Sequence, residues 1–191
     1  MVKTTLLKFV CAGAFVSVLV SCAIPVGGPT SGTSGGTIGL PGGATPTATL
    51  HFGVQTKTSG CVARGAYPDP DCTPGAIFPE VTAAQVCVSG YSSGVRNVPQ
   101  SEKEQVYAEY GIFSRTAGEY EVDHFVSLEL GGSNDISNLF PEAANPTPGF
   151  HEKDKVENYL HSQLCSGAIT LAEAQRQIAT DWVAVYQRMG N

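Results

Sequence analysis

No two cysteines stand as Cys-x-x-Cys, no segment repeats, positive charge is scarce, and no apolar run crosses a bilayer comfortably. Each absence narrows the chemistry. Without Cys-x-x-Cys pairs, a four-cysteine zinc site has little to build on. The apolar run from Phe9 to Val20 is about 12 residues, whereas a membrane-spanning helix needs ~20. Eleven Lys and Arg face seventeen Asp and Glu, a net charge of −6, which argues against holding a polyanion on a broad basic surface. No Ser-His-Asp arrangement stands out, so a hydrolase built on a serine or cysteine nucleophile has little support.

What is present begins with a leader. "MVKTTLLKFVCAGAFVSVLVSC" places Lys3 and Lys8 before the short apolar run and ends Leu19-Val20-Ser21-Cys22. This predicts a signal peptide over residues 1–21. The Leu-Val-Ser-Cys ending resembles the cleavage site of bacterial lipoproteins, which implies that Cys22 carries lipid as the mature N-terminus. An ordinary secretory signal with a chance cysteine is the alternative. Residues 22–49 are almost wholly Gly, Pro, Ser, Thr and Ala, too poor in apolar surface to order, and read as a flexible tether. A folded domain is expected over 50–191, exported and lipid-anchored to a bacterial membrane, at the cell surface or the periplasmic face. Loss of Lys3 and Lys8 leaves nine basic residues against seventeen acidic, a charge of about −8.

Of the six cysteines, Cys11 leaves with the leader and Cys22 is the lipid site. Cys61, Cys72, Cys87 and Cys165 remain, and an even number in an exported domain reads as two disulfides. The favoured pairs are Cys61–Cys72, closing the loop "VARGAYPDPD", and Cys87–Cys165, tying the early part of the domain to its late part. Four cysteines allow three pairings, and a four-cysteine zinc site is the rival.

Residues 50–84 read as loop, broken by Pro68, Pro70, Pro74 and Pro79, and 84–99 as short extended pieces around Gly90 and Gly94. In "SEKEQVYAEYG", Ser101 with Glu104 makes a capping box and Gly111 a stop, predicting a short helix. "YEVDHFVSLEL" alternates apolar and polar residues as a strand does, "GGSND" is a turn, and "ISNLF" reads as a short return strand. "FHEKDKVENYLHSQLCSG" turns helical, with Val156, Leu160 and Leu164 on one stripe and Gly167 at its end. "TLAEAQRQIATDWVAVYQRM" opens with Thr170 and Glu173 as a second capping box. Leu171, Ala174, Ile178, Trp182, Val185 and Met189 form its apolar face.

Strand, turn, strand and helix, with Asp123-His124 on the first strand, Gly131-Gly132 in the turn and Asn138 on the return, resemble the HNH endonuclease family. The stretch that carries the resemblance is "EVDHFVSLELGGSNDISNLFPE", continued by "HEKDK" in the helix, about 35 residues. The wider pattern is similar to small exported, lipoprotein-type members. The resemblance implies an α+β fold: a small ββα-metal (HNH-like) core of hairpin plus helix, with peripheral helices, stapled by disulfides. It also implies metal-dependent hydrolysis of phosphodiester bonds in nucleic acid, an endonuclease acting on DNA, and possibly RNA, with low sequence specificity. The alternative is a non-catalytic cell-surface lipoprotein that uses the fold as a binding module. No partner protein is inferred.

Within that resemblance, His124 is the expected base, since an imidazole of pKa ~6.5 can take a proton from water near neutrality. Asp123 is the expected metal ligand, and Asn138 is expected to bond across the hairpin and orient the base. His151 is the expected helix-side ligand, with Glu157 and His161, an i, i+4 pair, as alternatives. Aspartate, one imidazole and water suit Mg²⁺, with Mn²⁺ or Zn²⁺ possible. The candidate phosphate contacts are Arg96, Arg115, Lys153 and Lys155. Adjacent strand residues point to opposite faces, so Asp123 and His124 share one site only at a twist, a bulge or a strand end.

Overall fold

A side chain, rather than the pattern of apolar residues, decides where the first strand stops. The computed structural model describes residues 52–190; the expected leader (1–21), Cys22, the tether (22–49) and His51 lie outside the described residues. Strand β1 runs only over Tyr120–His124 and pairs antiparallel with β2, Leu139–Ala143, with Val122 opposite Pro141 and His124 opposite Leu139. The alternation continues to Leu130, but Val126 meets the side chain of Asn138 instead of a strand. Its N–H donates to Asn138 Oδ1 at 2.9 Å and its carbonyl accepts from Nδ2 at 3.0 Å. The amide thus mimics a strand partner for one residue and closes the ladder. Beyond it, Ser127 caps a 3₁₀ turn over Leu128–Leu130, so the predicted strand is shorter than its pattern.

The return strand is also displaced. Residues Ile136–Asn138 form a second 3₁₀ turn, capped by Asp135, whose side chain accepts from Ser137 N–H at 2.9 Å. Between the two turns lie Gly131 and Gly132. Gly131 has φ +80°, a backbone region that side chains disfavour. A Cβ on Gly132 would overlap the Val126 carbonyl oxygen.

Among the described residues five helices accompany the hairpin: α1 (Ala83–Val86), α2 (Tyr91–Val95), α3 (Gln100–Glu109), α4 (Phe150–Cys165) and α5 (Leu171–Arg188). The described domain is therefore mixed α+β, with a two-stranded antiparallel sheet. Helices α1 and α2 replace the extended pieces expected there. Gln85 Oε1 accepts the Thr82 N–H at 2.9 Å, closing a helical turn, and Gly90 at φ +82° lets the chain restart. Helix α3 begins after Pro99, without the predicted Ser101–Glu104 box; Glu104 instead accepts from Gln100 and Arg115.

Two apolar clusters form the core of the described residues. Val122 and Leu139 pack with Val106 and Tyr107 of α3. The larger core joins Val156, Leu160 and Leu164 of α4 to Ala174, Ile178, Trp182 and Val185 of α5, with Val126 and Leu130. Trp182 is fully buried, as its place on the predicted stripe requires. Thr170 caps α5 by accepting the Glu173 N–H, and Asp181 breaks that helix with φ −161° while accepting the Ala184 N–H at 3.1 Å, a cap for its second half. Both favoured disulfides are present, Cys61–Cys72 and Cys87–Cys165.

Candidate functional site

Strand alternation sorts the site into two sides. Asp123 and Glu142 occupy the sheet face turned toward α4, whereas His124 shares a register face with Val122 and Leu139, which pack on α3. The pair sits at the end of β1, with its two side chains on opposite faces of the sheet.

On the α4 side the organising group is Lys153. Its side chain is fully buried, and its Nζ donates to Asp123 Oδ2 at 2.6 Å, to the His124 carbonyl at 2.9 Å and to Glu157 Oε1, with Glu142 Oε2 4.0 Å away. Lys153 was expected at a phosphate; instead its ammonium is turned inward and enclosed by carboxylates. The helix places Lys153 and Glu157 one turn apart, and the hairpin supplies Asp123 and Glu142, so four oxygen-bearing groups from three elements meet one cation. Burial opposes the charge on Lys153, but Asp123, Glu157 and Glu142 outweigh it and raise its pKa well above the ordinary value.

The carboxylates divide. Burial works against ionisation of Asp123, yet Lys153 overcomes it and holds Asp123 below its usual range. Burial pushes Glu157 up to about 7 against the opposing pull of Lys153. For Glu142, 2% exposed, burial dominates Lys153 outright and pushes it up to about 10. No group lies within ordinary hydrogen-bond geometry of either Glu142 oxygen, and the neighbouring Asp123 adds to the rise by its charge and as an acceptor for the Glu142 proton. At neutral pH the cluster therefore holds its excess acid as a proton on Glu142.

His124 is 2% exposed, and burial, the leading cause, drops its pKa to about 4 even though Asp123 pulls the other way. Its Nε2 lies 3.3 Å from Asn134 Oδ1. Asn138 does bond across the hairpin, but to Val126, Ser133 and Ala76, with no bond to the His124 ring. The residue in contact with the imidazole is Asn134, which the sequence reading passed over as part of the GGSND turn. An amide four positions before Asn138, in a turn that must fold back on β1, was the available signal.

The remaining candidates scatter. His151 is exposed at the start of α4, its ring 4.2 Å from that of Phe150. Glu157 is engaged by Lys153 and by Ser127 Oγ at 2.8 Å. His161 bonds the Val86 carbonyl at 3.0 Å and lies 3.4 Å from Cys165 Sγ. Cys87, His161 and Cys165 bring ligand atoms within 4.8 Å of one another, but the sulfurs are joined to each other, and a disulfide sulfur is not a thiolate ligand. Arg115 stacks 3.6 Å over the Tyr107 ring and pairs with Glu104, and Lys155 pairs with Glu152 at 3.5 Å. Arg96 is exposed between Val95 and Asn97, whose backbones both grip Asn134.

Asp123 by itself offers two carboxylate oxygens; among the described residues no group of three His, Cys, Asp or Glu ligand atoms gathers around it. Each of its oxygens accepts one hydrogen bond, Oδ1 from His124 N–H at 2.8 Å and Oδ2 from Lys153, which leaves each a lone pair, and the side chain is 13% exposed. Of the helix-side candidates, His151 is the one whose side chain is not engaged by a carbonyl, an ammonium or a disulfide. Neither a protein-family model, nor a curated protein, nor a solved structure matches this chain.

Proposed function

We propose that this domain is an HNH-type endonuclease that hydrolyses phosphodiester bonds of nucleic acid, DNA foremost, with low sequence specificity, and that a lipid on Cys22 holds it to a membrane. The observation that carries the reading is the order β1–β2–α4: Asp123 and His124 end the first strand, and the helix that follows the second strand braces Asp123 through Lys153. Two disulfides suit an exported protein.

In this reading His124 is neutral near pH 7 and accepts a proton from water, although burial, by holding its pKa near 4, makes it a weaker base than an ordinary imidazole. Asp123, ionised and braced, would hold Mg²⁺ or a similar ion, with His151 the helix-side candidate. Such an ion, when bound, supplies positive charge at the scissile phosphate and stabilises the leaving oxygen. Lys153 keeps Asp123 charged and in place. Arg96 is the one of the four cation candidates both exposed and tied to the His124 surroundings, so it takes the role of phosphate contact.

The test uses the full chain with its disulfides formed, incubated with supercoiled plasmid in Mg²⁺, Mn²⁺ or chelator. Metal-dependent nicking is expected, and His124→Ala should lower it by about 10²-fold or more, the usual contribution of a general base. A folded protein that leaves DNA and RNA intact with every ion would sink the reading. The burial of His124 favours a second one, a non-catalytic binding module on the same hairpin and helix, which predicts that null result.

A further inference from the structure

A neutral imidazole carries its proton on one nitrogen and its lone pair on the other, and its neighbours select which. At His124 the selecting neighbour is Asn134, whose Oδ1 lies 3.3 Å from Nε2. That amide cannot turn over. Its Oδ1 accepts the Asn97 N–H at 3.1 Å, and its Nδ2 donates to the Val95 carbonyl at 2.8 Å. Exchanging the two would set N–H against N–H and carbonyl against carbonyl. An acceptor is thus fixed opposite Nε2, which must carry the proton, and the lone pair falls to Nδ1. Among the described residues no side chain or backbone group bonds Nδ1. The same two backbone contacts hold the chain on either side of Arg96.

Building on the nuclease reading, we propose that Asn134 is the positioning residue of this site: it fixes His124 as the Nε2-protonated tautomer, leaves Nδ1 as the basic atom, and anchors Arg96 beside it for a substrate phosphate. When Nδ1 takes a proton from water, the resulting imidazolium keeps its Nε2–H on Asn134 Oδ1, and the hydroxide attacks phosphorus as the bond to the leaving sugar oxygen breaks, that oxygen taking a proton from solvent water. Asn134 touches no reacting atom. It acts through His124 and through the Val95–Asn97 backbone.

Two measurements on the full chain, with disulfides intact, test this separately. The first is an imidazole ¹H–¹⁵N correlation at pH 7, which reads the tautomer without reference to activity. His124 should be Nε2-protonated in the wild type and a mixture in Asn134→Leu. The second is plasmid nicking as a function of pH. Asn134→Leu should lower kcat by about 10-fold to 100-fold, no more than the lower end of the ~10²–10⁴-fold that a general base contributes. Asn134→Asp keeps an acceptor, so it should recover part of the rate while its negative charge moves the acid limb of the profile to higher pH. An Nδ1-protonated His124 in the wild type overturns the proposal. So does an Asn134→Leu protein with unchanged tautomer, rate and pH profile. Should Asn134→Leu fail to fold, the wild-type tautomer and the Asn134→Asp profile decide. A protein that cuts nothing, yet shows the tautomer and its loss in Asn134→Leu, removes the nuclease reading and leaves the tautomer assignment standing.

Discussion

Glu142 and Lys153 carry opposite obligations in the same small volume. The folded Glu142 carboxyl titrates near 10 because it is buried, whereas an unfolded glutamate titrates near 4.5. Between those values the folded chain holds a proton that the unfolded chain has released, so this group's contribution to stability is present below about pH 4.5 and is lost as pH rises toward 10. Glu142→Gln, a neutral side chain of the same shape, should remove that loss. Urea melts at pH 5 and pH 8 should show the variant gaining on the wild type at the higher pH; parallel behaviour at both would contradict the protonated assignment. Lys153 is the reverse case, a buried cation that neutralises its neighbours. Lys153→Met strands Asp123 and Glu157 without a counter-charge, and should cost about 3–5 kcal/mol, the usual loss when one member of a buried ion pair is removed. A loss under about 1 kcal/mol in the same melts would mean that the carboxylates find another partner.

Elements that announce themselves through local signals were legible in the sequence, and those defined by a distant side chain were not. Helix α5 could be read from Thr170 and its apolar stripe, and α4 from Val156, Leu160 and Leu164, because caps and periodicity act within a few residues. The end of β1 could not, because Asn138 closes the ladder from 12 residues away. Lys153 read as a phosphate contact for the same reason: only folding brings Asp123 and Glu142 of the hairpin against the helix face that bears it. Asp123, His124 and the glycine turn stood out by residue type, while Asn134 looked like ordinary turn chemistry until its partners were known. The hairpin also offers an element-scale test. Gly132→Ala would drive a Cβ into the Val126 carbonyl, a backbone group that cannot swing aside, so the connection between the strands must shift. The expected loss is at least about 2 kcal/mol by denaturant titration, and one within about 0.5 kcal/mol would show that the turn is more adaptable than its packing suggests.

At the scale of the whole molecule, the two disulfides differ in reach. Cys61–Cys72 spans 11 residues of sequence and Cys87–Cys165 spans 78. In the chain-entropy account, the longer closure restricts the unfolded chain more, by roughly 1.7 kcal/mol for this ratio of lengths. The Cys87→Ser/Cys165→Ser protein should therefore melt in less denaturant than Cys61→Ser/Cys72→Ser; the reverse order would show that local packing outweighs chain entropy here. The long closure also has a topological effect. Every candidate site residue, from Arg96 through His161, lies inside the ring that it makes. A protease that cuts the backbone once within that ring opens a circle into a line, and both halves of the hairpin-and-helix unit stay on one covalent molecule. For the exported protein proposed above, a first cut in this region is damage that it carries without coming apart.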